Sequence, residues 1–249
     1  MFHVKHSPDQ EILPSAARAP QPADLQDFAH TTMLELETLT QAEFSRRLQR
    51  FCPEPLQAET VAKLFVHYEE LRGWAGTIAL IGPGAVAELF ERHYAESLAA
   101  VAWLPTEPGG KVLDLGSGAG FPGWILAAAR PDLEVTLVEA RERKWAFLST
   151  AARRARLSCR CLNARVSERS LAGIPDRVDV VTVRALRLES KTWSALLPHL
   201  APGARVLLWS GEAAEAPPPP FVAGRTLALS GSHRFLREYC LPTALPGTV

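Results

Sequence analysis

Thirteen residues, Lys111 to Gly123 (KVLDLGSGAGFPG), carry the strongest chemical signal in the chain. An apolar strand ends on an acid and opens through glycines onto a helix, which is the layout of a site for a nucleotide-like cofactor. Val112, Leu113 and Leu115 fit a short buried strand. Gly116, Gly118 and Gly120 let the following turn pass close to a ligand, because glycine has no Cβ to block the approach or forbid positive φ. Pro122 suits the first turn of a helix, where its missing N–H is no loss. The free donors at that helix start favour an anionic group, either a phosphate or the carboxylate of an amino-acid-like cofactor.

Two cofactors fit the spacing. Gly118, Gly120 and Gly123 satisfy the dinucleotide pattern G-x-G-x-x-G, which also asks for an acid about 20 residues on. Glu139, ending the run Leu133 to Val138, supplies it. The order Asp114-x-Gly116-x-Gly118-x-Gly120 also resembles the cofactor loop of Rossmann-like methyltransferases that use S-adenosylmethionine. That resemblance implies glycines around the adenosyl and methionine portions and an acid holding the ribose hydroxyls, and Glu139 is placed for this under either cofactor.

The elements that must position these residues follow from periodicity. Residues 1–32 are rich in Pro, Ala, Gln and Asp without a repeat, and read as a flexible arm. Residues 33–104 read as a helical cap. In it Val61, Leu64, Phe65, Tyr68 and Leu71 form one apolar stripe, and Val86, Leu89, Phe90 and His93 begin another. Residues 105–249 form the cofactor domain, with strands expected at 111–115, 133–139, 158–162, 178–183 and 204–209. Helices are expected near 122–130, 142–157 and 190–200, and two closing strands near 224–230 and 234–240. Strand and helix in alternation give an α/β fold, a doubly wound and mostly parallel sheet with ligands at the carboxyl ends of the strands.

Composition sets the outer bounds. At 249 residues and 47% apolar the chain can bury a sizeable core. Its formal net charge of zero calls for a local basic patch if the substrate is a nucleic acid. Arg141, Arg143, Lys144, Arg153, Arg154, Arg156 and Arg160 supply one, serving either solubility or contact with RNA phosphates. No apolar run is long enough for a membrane span and no signal peptide is present, so a cytoplasmic monomer is expected. Cys52, Cys159, Cys161 and Cys240 lack zinc-finger spacing, and no metal is expected. Arg184 and Arg165 follow strands and should open into the cleft, where a guanidinium fork suits a carboxylate or a phosphate. His93 reads as a packed, hydrogen-bonded core histidine. The chain has no H-E-x-x-H, no nucleophile elbow and no Walker lysine, which removes the usual hydrolase and phosphotransferase groups, and no catalytic residue is assigned.

Taken together, VLDLGSGAGFPG (112–123), VEARERKWAFL (138–148), NARVSE (163–168) and VRAL (183–186) resemble the GidB or RsmG family of bacterial 16S rRNA guanine-N7 methyltransferases. Trp74 and the R-H-x-x-x-S element of Arg92, His93 and Ser97 are also similar to that family. The resemblance implies a Rossmann-like class I methyltransferase fold and S-adenosylmethionine as cofactor. It implies 16S rRNA or the small ribosomal subunit as partner. It also implies cofactor contacts from Gly116, Phe121, Val166, Ser167 and Arg184, with Glu139 and Ala140 near the ribose. Ala79-Leu80-Ile81 stands where the family has Asn-Leu-Thr, Glu96 where it has Asp, and Ser210-Gly211 where it has Lys-Gly. Those departures keep open a divergent RNA target or a non-catalytic RNA-binding relative beside the enzyme reading, with an NAD(P) oxidoreductase as the alternative for the same glycines.

Overall fold

A computed structural model describes residues 36–213, 215–229 and 233–243, so the arm expected over residues 1–32 lies outside the described residues. Five parallel strands form, β1 (Lys111–Leu115), β2 (Glu134–Glu139), β3 (Cys159–Asn163), β4 (Val178–Arg184) and β5 (Leu200–Gly211), all but the edge strand β3 from runs rich in valine or leucine. The closing strands β6 (Val222–Ala228) and β7 (Arg234–Cys240) are antiparallel to their neighbours and complete a sheet of order β3-β2-β1-β4-β5-β7-β6. The order reverses between β1 and β4, which leaves a crevice at the carboxyl ends of those two strands.

Side chains alternate across the sheet, so each strand feeds two cores. Val112, Val135, Leu137 and Val180 pack on one face, which the N-terminal helices cover together with α4 (Gly123–Ala129) and α5 (Glu142–Arg154). Leu113, Leu115, Val181 and Val183 pack on the other, under α6 (Ser190–Leu196) and the irregular segment that contributes Ile174. Both faces being covered explains why these strands read as continuous apolar runs.

Before the sheet come α1 (Gln41–Gln49), α2 (Ala58–Trp74) and the short α3 (Glu96–Leu98). Thr40 and Glu43 cap α1 reciprocally, the Thr40 hydroxyl accepting from the Glu43 N–H at 3.3 Å and the Glu43 carboxylate from the Thr40 N–H at 2.8 Å. The stripe expected on α2 is present, with Val61, Leu64, Tyr68 and Leu71 buried and Phe65 half-buried. The second stripe differs from its expectation. Instead of a regular α-helix, residues Leu89–Ala95 form a π-helix that runs into α3, and Glu96 donates its N–H to the Glu91 carbonyl, five residues back.

One residue of α2 fastens this layer to the sheet. His67 is fully buried, with Nε2 2.8 Å from the Ala119 carbonyl and Nδ1 2.8 Å from the Tyr94 hydroxyl. Only a donor can serve a carbonyl, so Nε2 carries the proton and Nδ1 accepts from Tyr94. Phe121, Trp124 and Phe147 surround the ring at 4.7–5.6 Å between centroids. Burial pulls the pKa of His67 down to about 4, although the bond to Ala119 works the other way.

The unfolded chain therefore takes up a proton near pH 6.5 that the folded chain refuses until about pH 4. Stability from this residue is full above pH 6.5 and is lost as pH falls toward 4, by about 3 kcal/mol in all. In thermal unfolding from pH 7 to pH 4, the advantage of the wild type over His67→Gln is expected to shrink steadily. A difference in Tm independent of pH would contradict this.

Candidate cofactor site

The turn after β1 is built by its neighbours. The N–H groups of Gly116 and Ser117 both donate to the Val138 carbonyl at the end of β2, at 2.9 and 3.0 Å. The Gly118 N–H donates to Glu139 Oε2 at 2.9 Å, while Glu139 Oε1 accepts from the Arg141 N–H at 2.8 Å. The Gly120 N–H closes back on the Ser117 carbonyl at 2.7 Å. Four amide donors of the turn are thus used inside the protein, and at the helix start, where free donors for an anion are expected, the Trp124 N–H donates to the Gly120 carbonyl at 2.9 Å and the Gly123 N–H to Asp114. What the turn offers a ligand is backbone surface and shape.

Gly116, Gly118 and Gly120 all have positive φ, at 74°, 56° and 91°. Their surroundings separate their roles. A Cβ at Gly118 would meet only the Gly116 carbonyl oxygen, at 3.7 Å, and would stand in open space. A Cβ at Gly120 would press on Trp124 Cβ at 2.9 Å and on His67 Nε2 at 3.0 Å. Gly123, at the start of α4, lies so close to Asp114 that a Cβ would come within 2.4–2.6 Å of that side chain.

A cavity of about 720 Å³ opens at the carboxyl ends of β1, β2 and β4. Of the residues expected to hold the cofactor, Gly116, Gly118, Phe121, Glu139, Ala140, Val166, Ser167 and Arg184 line it. Asp114 and Gly120 do not, and stand behind the wall as supports. Asp114 is 1% exposed, takes the Thr182 hydroxyl on Oδ1 at 2.6 Å, and burial raises its pKa to about 6 against that bond. Its position under Gly123 makes it the prop on which α4 starts. Arg165, Glu168, Arg187 and Glu189, from the segments after β3 and β4, complete the charged groups of the wall.

Arg184 ends β4 with a side chain only 12% exposed. Its Nη2 donates to the Arg92 carbonyl at 2.6 Å and to Glu96 Oε2 at 3.1 Å, and Glu96 Oε1 accepts from Arg234 Nε at 2.7 Å. The Arg92 carbonyl is available because the π-helical register takes the Glu96 N–H elsewhere. Nη1 of Arg184 is buried without a partner among the described residues, and burial pulls the pKa down to about 10 against the attraction of Glu96. The guanidinium is thus charged, tethered through Nη2 and left unpartnered at its buried Nη1 among the described residues.

Several lining residues were not anticipated. Leu80 and Ile81 reach the cavity from the loop after α2, and Lys144 from α5, half-buried rather than fully solvated with its basic neighbours. Arg154 of the same cluster pairs with Glu70 of α2 and so serves the contact between helices. His93 also lines the cavity, and neither ring nitrogen has a hydrogen-bond partner among the described residues, contrary to the packed, hydrogen-bonded role expected for it. No spacing in the chain signals that it stands beside Phe121 and Arg184. Among the described residues no group of three metal-binding side chains comes together, and no helix is long and apolar enough to cross a membrane.

The sheet order, the glycine turn and the acid ending β2 define an S-adenosylmethionine-dependent methyltransferase of class I. The same fold is found in a SAM dependent methyltransferase from Aquifex aeolicus, which is 17% identical, with a TM-score of 0.51 over 65% of this chain and 99% of that one. More narrowly, the chain belongs to the GidB family, rRNA small subunit methyltransferase G, whose family model matches residues 60–217. Ribosomal RNA small subunit methyltransferase G of Jannaschia sp. (strain CCS1) is 37% identical over 158 residues, 61% of this chain and 72% of that protein. Its namesake from Salinispora arenicola (strain CNS-205) is 40% identical over 157 residues, 61% and 64% of the two chains. The dinucleotide reading of the glycines is set aside by this membership.

The residues present suit S-adenosylmethionine: a glycine, Gly118, with space where a Cβ would stand, an acid with lone pairs left over, and a guanidinium with an unpartnered nitrogen. The two glycines should respond differently to substitution. Gly118→Val is expected to lower affinity for S-adenosylhomocysteine by more than about ten-fold, at a backbone cost of about 1–2 kcal/mol. Gly120→Ala is expected to cost about 2 kcal/mol or more of stability through strain and overlap. Calorimetric titration and thermal unfolding of both variants check this, and equal effects on binding and Tm would contradict it.

Proposed function

We propose that this enzyme transfers a methyl group from S-adenosylmethionine to N7 of a guanine in 16S rRNA, free or within the small subunit. The family match over residues 60–217, which spans α2 through β5 and so includes every segment lining the cavity, is the observation that carries the reading. Glu139 would accept from the ribose hydroxyls, Ala140, Val166 and Ser167 would flank the adenosyl group, and the free edge of Arg184 would take the carboxylate. When bound, the cofactor supplies an electrophilic methyl carried on a sulfonium.

The rest is positioning. Guanine N7 has an in-plane lone pair and no proton, so the protein need not provide a general base. Its task is to hold the base and the methyl donor in line, which turns a two-body encounter into an intramolecular one. The methylated base gains positive charge, and Glu168 and Glu189 stand in the same wall as carboxylates able to stabilise it as it develops. The exposed Arg141 lines the cavity and the exposed Arg143 follows it in the first turn of α5, where they can meet RNA phosphates.

Incubation with methyl-labelled S-adenosylmethionine and rRNA or small subunits from cells lacking this gene, followed by mass mapping, is expected to locate one new N7-methylguanine. Methyl on another atom, another base or another RNA would overturn the target, and cofactor binding without transfer to any RNA would favour a non-catalytic relative. In the same assay Arg184→Ala is expected to raise the KM for S-adenosylmethionine about ten-fold or more, since a charge-assisted hydrogen bond is worth about 1.5–3 kcal/mol.

A further inference from the structure

His93 stands out among the buried polar groups that the cofactor site leaves unused. The contrast with His67 is direct: there both ring nitrogens are bonded, at 2.8 Å each, whereas at His93 neither Nδ1 nor Nε2 has a partner among the described residues. A buried polar atom without a partner costs stability, and native proteins keep few of them. The backbone that presents it is also irregular. His93 sits in the π-helix Leu89–Ala95, and π-helical turns recur at functional sites.

The setting narrows what His93 can bind. Its ring rests against Phe121, 4.9 Å between centroids and tilted by 39°, in the cavity wall shared with Gly116 and Arg184. Burial, then the charges of Arg184, Arg92 and Arg234, push its pKa down to about 3, so the ring is neutral at working pH. A neutral imidazole offers one N–H donor and one lone pair. The free edge of Arg184 is the stronger site for a carboxylate, which leaves the uncharged N–H for an uncharged acceptor such as a ring carbonyl. Guanine carries its carbonyl oxygen O6 on the same edge as N7, so a donor to O6 fixes N7 as well.

We propose that His93 reads the acceptor base, donating its ring N–H to O6 of the target guanine and thereby orienting N7. This rests on the guanine-N7 reading above and adds to it a residue that recognises the base.

The test compares small-subunit rRNA carrying guanine or 2-aminopurine at the target position, since 2-aminopurine keeps N7 and lacks O6. Single-turnover methylation by the wild type is expected to be roughly ten-fold slower on 2-aminopurine, as befits one lost hydrogen bond. His93→Phe, which keeps a ring against Phe121, is expected to slow on guanine by a similar factor and to treat the two bases alike. His93→Gln, which restores a donor, is expected to recover part of the preference. Affinity for S-adenosylhomocysteine should change less than about two-fold in both variants. Equal wild-type rates on the two bases, or a His93→Phe enzyme that still prefers guanine, would overturn the role of His93 while leaving N7 transfer intact. A wild type that methylates no guanine at N7 would remove the functional reading itself, and this inference with it.

Discussion

Everything at the site depends on holding a five-residue turn of small residues, with positive φ at its three glycines, in one path at the end of β1. Left to itself, Gly116 to Gly120 would be the most freely moving part of the sheet, because glycine has the most backbone entropy to lose. The protein restrains it from two sides. The end of β2 takes its first three amides through the Val138 carbonyl and the Glu139 carboxylate, and α2 takes its Ala119 carbonyl through His67. Sheet and helical layer thus meet at the turn, and a cofactor binds to backbone that is already ordered.

A second tie joins the same two layers on the far side of the cavity. Glu96 is buried between Arg184 of β4 and Arg234 of β7, and its own carbonyl accepts from Trp209 Nε1 of β5 at 2.9 Å. Three strands therefore converge on one residue of the helical layer. Arg184 is held on its Nη2 side by Glu96 and by the Arg92 carbonyl, so its remaining edge has a fixed direction rather than a choice of rotamers. Ordering of this kind, completed before the ligand arrives, favours binding.

The sheet was largely legible in the chain, because strands covered on both faces announce themselves as short apolar runs and β1 ran from Lys111 to Leu115 as expected. The helix after β2 was expected to reach residue 157 and stops at Arg154, where fraying residues carry no strong stop signal. Of the candidate site residues, those that combine a strand end with a glycine or an arginine were readable from pattern. Asp114 and Gly120 share that pattern yet stand behind the wall, since spacing along a strand does not say which face a neighbouring helix will cover. His67, Glu96 and His93 were not readable as site residues. Each acts through contacts 50 or more residues away, as in the bond from His67 to Ala119 or from Arg184 to Glu96, or through a π-helical register that no periodicity announces.

That register has a consequence for how the chain tolerates change in length. Deleting one residue between Leu89 and Ala95 would let the segment heal into an ordinary α-helix, which has better hydrogen-bond geometry in isolation. A π turn holds one residue more than an α turn, so side chains beyond the deletion would keep their faces while those within Leu89–Ala95, Arg92 and His93 among them, would be re-registered. The Arg92 carbonyl would return to the helix ladder and Arg184 would lose its anchor. A shortened, tidier helix would thus be locally sounder, yet it would leave the cavity wall without the carbonyl that fixes the direction of its guanidinium.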